Sequence, residues 1–271
     1  MNGYIDFHSL LLPNFKGGYS NEQVIRETVT SLNMAKIKTV VTTSVFDLEV
    51  DNIDDFIIER QKAFEKLKDI TKDMVLPKII LSAEVFFSEK LLKMSDVNKL
   101  CIGDTDYMMI SFNPKEYSPK LLELLEKFII AHNIHPIIAH LESYLNDIPI
   151  DELKKFSQMG ILTEISCSSI VNRATRKQSL QLIEDNIVQV IGSNNNTIAD
   201  TTNRSLSNIA MDILNKDIST NIEDIVKPSP QYSDAVRIMR YNLSLGKYKH
   251  IKNNVGMIIS NASLGDVLAN V

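Results

Sequence analysis

Residues 135–142 read His135-Pro136-Ile137-Ile138-Ala139-His140-Leu141-Glu142. An apolar run leads straight into a histidine and, two residues on, a glutamate. A short run without polar alternation predicts a strand buried on both faces, here over His135–His140. Upstream, Pro119–His132 has the spacing of an amphipathic helix, and downstream Asp151–Met159 has it again. A doubly buried strand between two helices is a unit of a parallel α/β sheet or barrel.

The same alternation recurs on both sides. Strands are expected at Tyr4–His8, Thr39–Thr43, Pro77–Val85, Asp106–Phe112, Ile161–Ser166 and Val188–Gly192. Helices are expected at Asn21–Met34 (with Ser20 as N-cap), Ile53–Ile70, Arg176–Asp185 and Asn203–Leu214. About seven strands with flanking helices give the expected fold: an α/β, distorted TIM-like (β/α)7 barrel forming one domain over residues 1–271. In such barrels the chemistry sits where the strands end. Residues 216–271 diverge from this pattern. Pro228-Ser229-Pro230 breaks any helix there, with a helix expected at Asp234–Leu245 and an apolar strand at Val255–Ile259.

Composition narrows the function classes. Of 271 residues, 44% are hydrophobic and 23% charged, with a formal net charge of -5. That is ordinary globular composition without a basic stripe, so no nucleic-acid partner is expected. The two cysteines, Cys101 and Cys167, are too few for a disulfide scaffold and suit a reducing cytoplasm. No apolar run reaches the roughly 18 residues of a membrane span, and the N-terminus lacks a signal-peptide pattern.

Polar residues gather at the strand ends. The first strand ends in Asp6-Phe7-His8, the third in Ala83-Glu84-Val85, the fifth in His140-Leu141-Glu142 and the seventh in Gly192-Ser193-Asn194-Asn195-Asn196. Imidazole and carboxylate are the ligands divalent cations take, so several around one barrel mouth can hold a metal. The alternative for a single histidine ending a buried strand is a satisfied core residue. Glu84 between Ala83 and Val85 is harder to place that way, because a buried carboxylate needs a partner.

These segments together resemble the PHP superfamily, and within it the bacterial manganese-dependent tyrosine phosphatases of capsular and exopolysaccharide operons. Ile5-Asp6-Phe7-His8-Ser9-Leu10 followed by Leu11-Leu12-Pro13 looks like the opening motif. Thr39–Ser44, Ala83-Glu84-Val85, Pro136–Tyr144 and Ile191–Asn196 look like the next four, in order, from residue 1 to about 215. The resemblance implies a metal centre, and phosphotyrosine proteins or a polysaccharide-machinery kinase as partners. It leaves three ligand positions filled, by His8, Glu84 and His140. The others hold Leu10, Val45 or Phe46, Ser111, Asn194 and Asn196, and Ser143 stands for the arginine of the fifth-strand block. Asp6, Leu10, Ser111, Glu142, Asn194 and Asn196 would line the pocket. The implied protein is a degenerate, mostly non-catalytic homologue. It holds no metal or one weakly bound divalent cation, manganese by family, with Asn194 as a possible added ligand and a repacked pocket. The alternative is an active phosphatase on a reduced metal site.

A second phosphatase pattern is Cys167-x5-Arg173, at the junction of a strand and a helix where a thiolate loop would sit. It has no glycine to turn successive amides inward, and Ala174 stands where a hydroxyl usually follows. Cys167 is better read as a small packing residue.

Overall fold

The structure is a computed structural model and describes residues 4–34, 37–166, 168–169, 172, 174–185 and 187–194. Seven parallel strands lie side by side in chain order: β1 (Tyr4–Ser9), β2 (Ile37–Phe46), β3 (Lys78–Phe86), β4 (Tyr107–Ser111), β5 (His135–Ile138), β6 (Leu162–Ser166) and β7 (Val190–Gly192). Helices α1 (Glu22–Met34), α2 (Ile53–Ile70), α3 (Pro119–His132), α4 (Ile150–Gln158) and α5 (Arg176–Glu184) connect most of them. Short 3-10 turns, rather than a helix, join β3 to β4. The last strand returns to the first: the Asn194 amide donates to the His8 carbonyl at 2.8 Å. The distorted (β/α)7 barrel is therefore what the strand pattern predicts. The helix at 203–214 and the tail elements at 234–245 and 255–259 lie outside the described residues, as does the extension of one domain to residue 271.

The strands form where both faces are covered. Tyr107 to Ile110 of β4 and Pro136 to Ile138 of β5 are all buried, as their unbroken apolar runs require. The helices start and stop on their own side chains. Asn52 caps α2 by accepting from the Asp54 and Asp55 amides. Ser118 caps α3, Pro119 opens it, and Asn133 closes it in the left-handed region at φ 52°. The α3 face that meets the sheet is Leu121, Leu125 and Phe128, one helical turn apart. Phe128 meets Phe87 edge-on, with ring centroids 5.6 Å apart. Truncating such a ring to alanine costs about 3–5 kcal/mol.

Element ends needed small corrections. The cap of α1 is Asn21, not Ser20: its Oδ1 accepts from the Gln23 and Val24 amides. The β2 strand is longer than its β-branched centre, and β5 stops at Ile138, before His140. No helix among the described residues is long and apolar enough to cross a membrane.

Candidate metal centre

The two-residue period of a strand decides which side chains enter the barrel. Val45, Glu84 and Met109 are register partners across β2, β3 and β4, so Glu84 shares the inward face. Glu164 of β6 is the register partner of Val190 on the same face. His8 projects from β1. His140 follows β5 in the left-handed region, φ 55° and ψ 44°, a conformation that costs a non-glycine residue about 1–2 kcal/mol.

These four side chains meet. His8 Nε2 lies 3.5 Å and His140 Nε2 lies 3.4 Å from the same Glu84 Oε2. One ligand atom from each of His8, Glu84 and His140 falls within 4.8 Å of the others, the single such cluster among the described residues. The imidazole centroids are 4.8 Å apart. Both contacts to Glu84 exceed the usual 2.7–3.2 Å of an N–H···O bond. They match the roughly 3.4 Å that separates two ligands held tetrahedrally at about 2.1 Å from one cation. Two imidazoles and one carboxylate are a donor set that divalent cations accept. The residues present thus fit one cation.

Glu164 lies behind the histidines. Its Oε2 accepts from the His140 amide at 2.8 Å and stands 3.7 Å from His8 Nδ1 and 3.9 Å from His140 Nδ1. At 3.7 Å the His8 contact is electrostatic rather than a hydrogen bond, and His8 Nδ1 has no hydrogen-bond partner among the described residues. Gly192 makes room for this packing. A Cβ there would sit 2.3 Å from His8 Cβ and 2.8 Å from Glu164 Oε1.

Charge within the cluster is compensated. For Glu84, burial favours the neutral acid. The His140 imidazole 3.4 Å away and the nearby His8 and His140 charges outweigh it and bring the carboxyl to about 2. For His140, burial opposes protonation, but Glu84, Glu164 and Glu142 overcome it and lift the imidazole to about 9. Glu164 is likewise lowered: the His8 and His140 contacts prevail over its burial. Glu142 moves the other way, to about 8, because burial and then the Glu164 charge both favour its protonated form.

Of the residues singled out in sequence, His8, Glu84 and His140 are brought together, and Ser111 is close enough to favour the ionised form of Glu84. Asp6 is wholly buried in the wall. It accepts from the Ser193 amide at 2.8 Å and the Ser193 hydroxyl at 2.6 Å, tying β1 to β7, and burial lifts it to about 6. Glu142 accepts from the Ser166 amide at 3.2 and 3.3 Å. The side-chain amide nitrogen of Asn194 meets His140 Nδ1 at 2.7 Å, on the side of the ring away from Glu84. Leu10 is buried against Gly17, and Phe46 turns outward onto Phe56 of α2. Val45 stays 44% exposed beside Glu84, so the pocket is not repacked at that point. Asn196, Cys167 and Arg173 lie outside the described residues. Sequence analysis missed Glu164. Its signal was the one that marked Glu84: a carboxylate between Thr163 and Ile165 in a doubly buried strand.

The comparisons bear on the same barrel. The family model described as "Capsular polysaccharide synthesis, CpsB/CapC" matches residues 4–232. A crystal structure of YwqE from Bacillus subtilis and CpsB from Streptococcus pneumoniae, described as unique metal-dependent tyrosine phosphatases, superposes with a TM-score of 0.62 at 17% identity, covering 93% of this chain and 94% of that one. The phosphotriesterase homology protein of Escherichia coli, complexed with phosphate, gives 0.48 at 12% identity over 86% of this chain and 95% of that one. None of the curated proteins compared matches. The chain belongs to the CpsB/CapC capsular polysaccharide synthesis family.

Proposed function

We propose that this chain is a binding and regulatory member of the CpsB/CapC family, a phosphatase barrel that keeps one divalent-cation position and lacks a multinuclear centre. Its partner is a phosphotyrosine protein or kinase of the polysaccharide machinery. One observation carries the reading: three donors, His8, Glu84 and His140, converge on one point, and the remaining positions where the resemblance expects ligands hold Leu10, Val45 or Phe46, Ser111, Asn194 and Asn196.

The chemistry follows from the donor count. Two-metal hydrolysis holds cations about 3.5–4 Å apart and needs bridging carboxylates to offset their charge. Among the described residues, Glu84 is the one carboxylate on the Nε2 side of both histidines. Leucine and valine donate nothing, and serine and asparagine bring no charge. When bound, a single cation supplies a Lewis acid for one phosphoryl oxygen. Retention of a phosphoryl ligand then survives where activation of water does not. Manganese is the cation the resemblance favours.

A second reading, a working phosphoesterase on the reduced site, is favoured by the 29% exposure of the His140 side chain, which leaves the donors reachable. One experiment separates the two. The full chain is incubated with manganese and a phosphotyrosine peptide. Binding by calorimetry is compared with phosphate release from the peptide and from a generic aryl phosphate. Manganese-dependent binding with release at background supports the binding role. Release that chelator and His140→Ala both abolish establishes the enzyme.

A further inference from the structure

Glu164 is wholly buried, and its Oε1 has no hydrogen-bond partner among the described residues. Burying a carboxylate this way is costly unless it acts on its neighbours. Its Oε2 sits on the Nδ1 side of both imidazoles, 3.7 Å and 3.9 Å away, while Glu84 sits on the Nε2 side of both. The same oxygen takes the His140 amide at 2.8 Å and so holds the left-handed residue that delivers that ring. Gly192 keeps His8 and Glu164 pressed together.

We infer that Glu164 is a positioning residue for the cation site: an acceptor placed on the Nδ1 side of His8 that favours the ring proton there, so that the Nε2 lone pair faces the cation beside Glu84, while its bond to the His140 amide fixes the second ring's backbone. A histidine that binds metal through one nitrogen commonly gives its other N–H to a carboxylate, which fixes ring and tautomer. Here the carboxylate stands 3.7 Å from His8 Nδ1, an approach rather than a closed hydrogen bond, and holds His140 through its backbone amide. The His140 Nδ1 instead meets the side-chain amide nitrogen of Asn194 at 2.7 Å, so the orienting role of Glu164 falls on the His8 ring. This inference rests on the one-cation reading above.

The test uses the full chain, Zn²⁺ as a diamagnetic probe, calorimetry, and nitrogen-15 spectra of the imidazoles, with His8 assigned through His8→Gln. Glu164→Gln keeps both the reach and an acceptor, because the His140 amide holds its oxygen in place. Its affinity stays within about threefold. Glu164→Asp keeps the charge but loses the reach and binds more weakly than Glu164→Gln. Glu164→Leu binds about 10–100-fold more weakly, and its His8 signals show mixed tautomers. Wild-type affinity and an unchanged His8 spectrum in Glu164→Leu overturn the positioning role. If that variant does not fold, the order of Asp and Gln decides: tighter binding by Glu164→Asp means that charge, not position, matters, and the inference falls. Failure of the unsubstituted chain to take up Zn²⁺ overturns the cation site itself, and this inference with it.

Discussion

Glu84 and Glu164 carry the same side chain into the same barrel, on opposite sides of the same two imidazoles. Glu84, on β3, meets both Nε2 atoms and keeps 11% of its side chain in solvent, while Glu164, on β6, meets the Nδ1 side and keeps none. One carboxylate is therefore placed where a cation can reach it, and the other where only protein can. The difference shows that residue type alone does not make a ligand. The face of the imidazole a carboxylate addresses, and its access to solvent, set its role.

The comparison breaks most sharply at Glu84. Glu84→Ala removes the sole charged donor on the Nε2 side among the described residues, and cation affinity measured by calorimetry falls by more than the 10–100-fold expected of an orienting group. A smaller loss than in Glu164→Leu would reverse the two roles. Next is the packing between them. Gly192→Ala forces His8 and Glu164 apart and destabilises the chain by about 1–3 kcal/mol in urea unfolding. Unchanged stability would mean that the cluster gives way easily.

The next effect depends on pH. Glu142 is lifted from 4.5 to about 8 in the folded chain. A raised carboxyl contributes stability below its unfolded value, and that contribution is lost as pH rises through the folded one. In chelator, Glu142→Gln should match the parent near pH 4.5 and be the more stable at pH 8. The salt cluster runs differently. Glu84, lowered to about 2, loses its contribution as pH falls below 4.5, and His140, raised to about 9, loses its own as pH rises above 6.5. Equal unfolding curves for parent and variant at pH 8 would mean that Glu142 is not held protonated. The smallest effect is expected at Asn194→Ala, which removes one contact to His140 Nδ1 and should lower cation affinity only a few fold. A loss as large as that of Glu164→Leu would mean that the Asn194 amide orients the His140 ring as strongly as Glu164 orients its neighbours.

Most of this barrel was legible in its sequence. Unbroken apolar runs such as Met108-Met109-Ile110 reveal strands buried on both faces, and Asn52, Ser118 and Pro119 mark helix starts with the groups that satisfy them. Three of the four central site residues were legible because they lie at or near strand ends in segments that the family resemblance covers. Glu164 stands two residues before the end of β6, just as Glu84 does before the end of β3, but the motif resemblance singles out no residue of β6. The left-handed turn at His140 was hidden for a different reason. It is held by a long-range bond from the His140 amide to Glu164, 24 residues away, and no local preference encodes it.

The central claim is a single cation position. The most direct measurement is manganese per chain, by mass spectrometry, after exposure to excess Mn²⁺ and removal of free metal. The account predicts one equivalent, lost in Glu84→Ala. Two or more equivalents, or one that persists without Glu84, would contradict it.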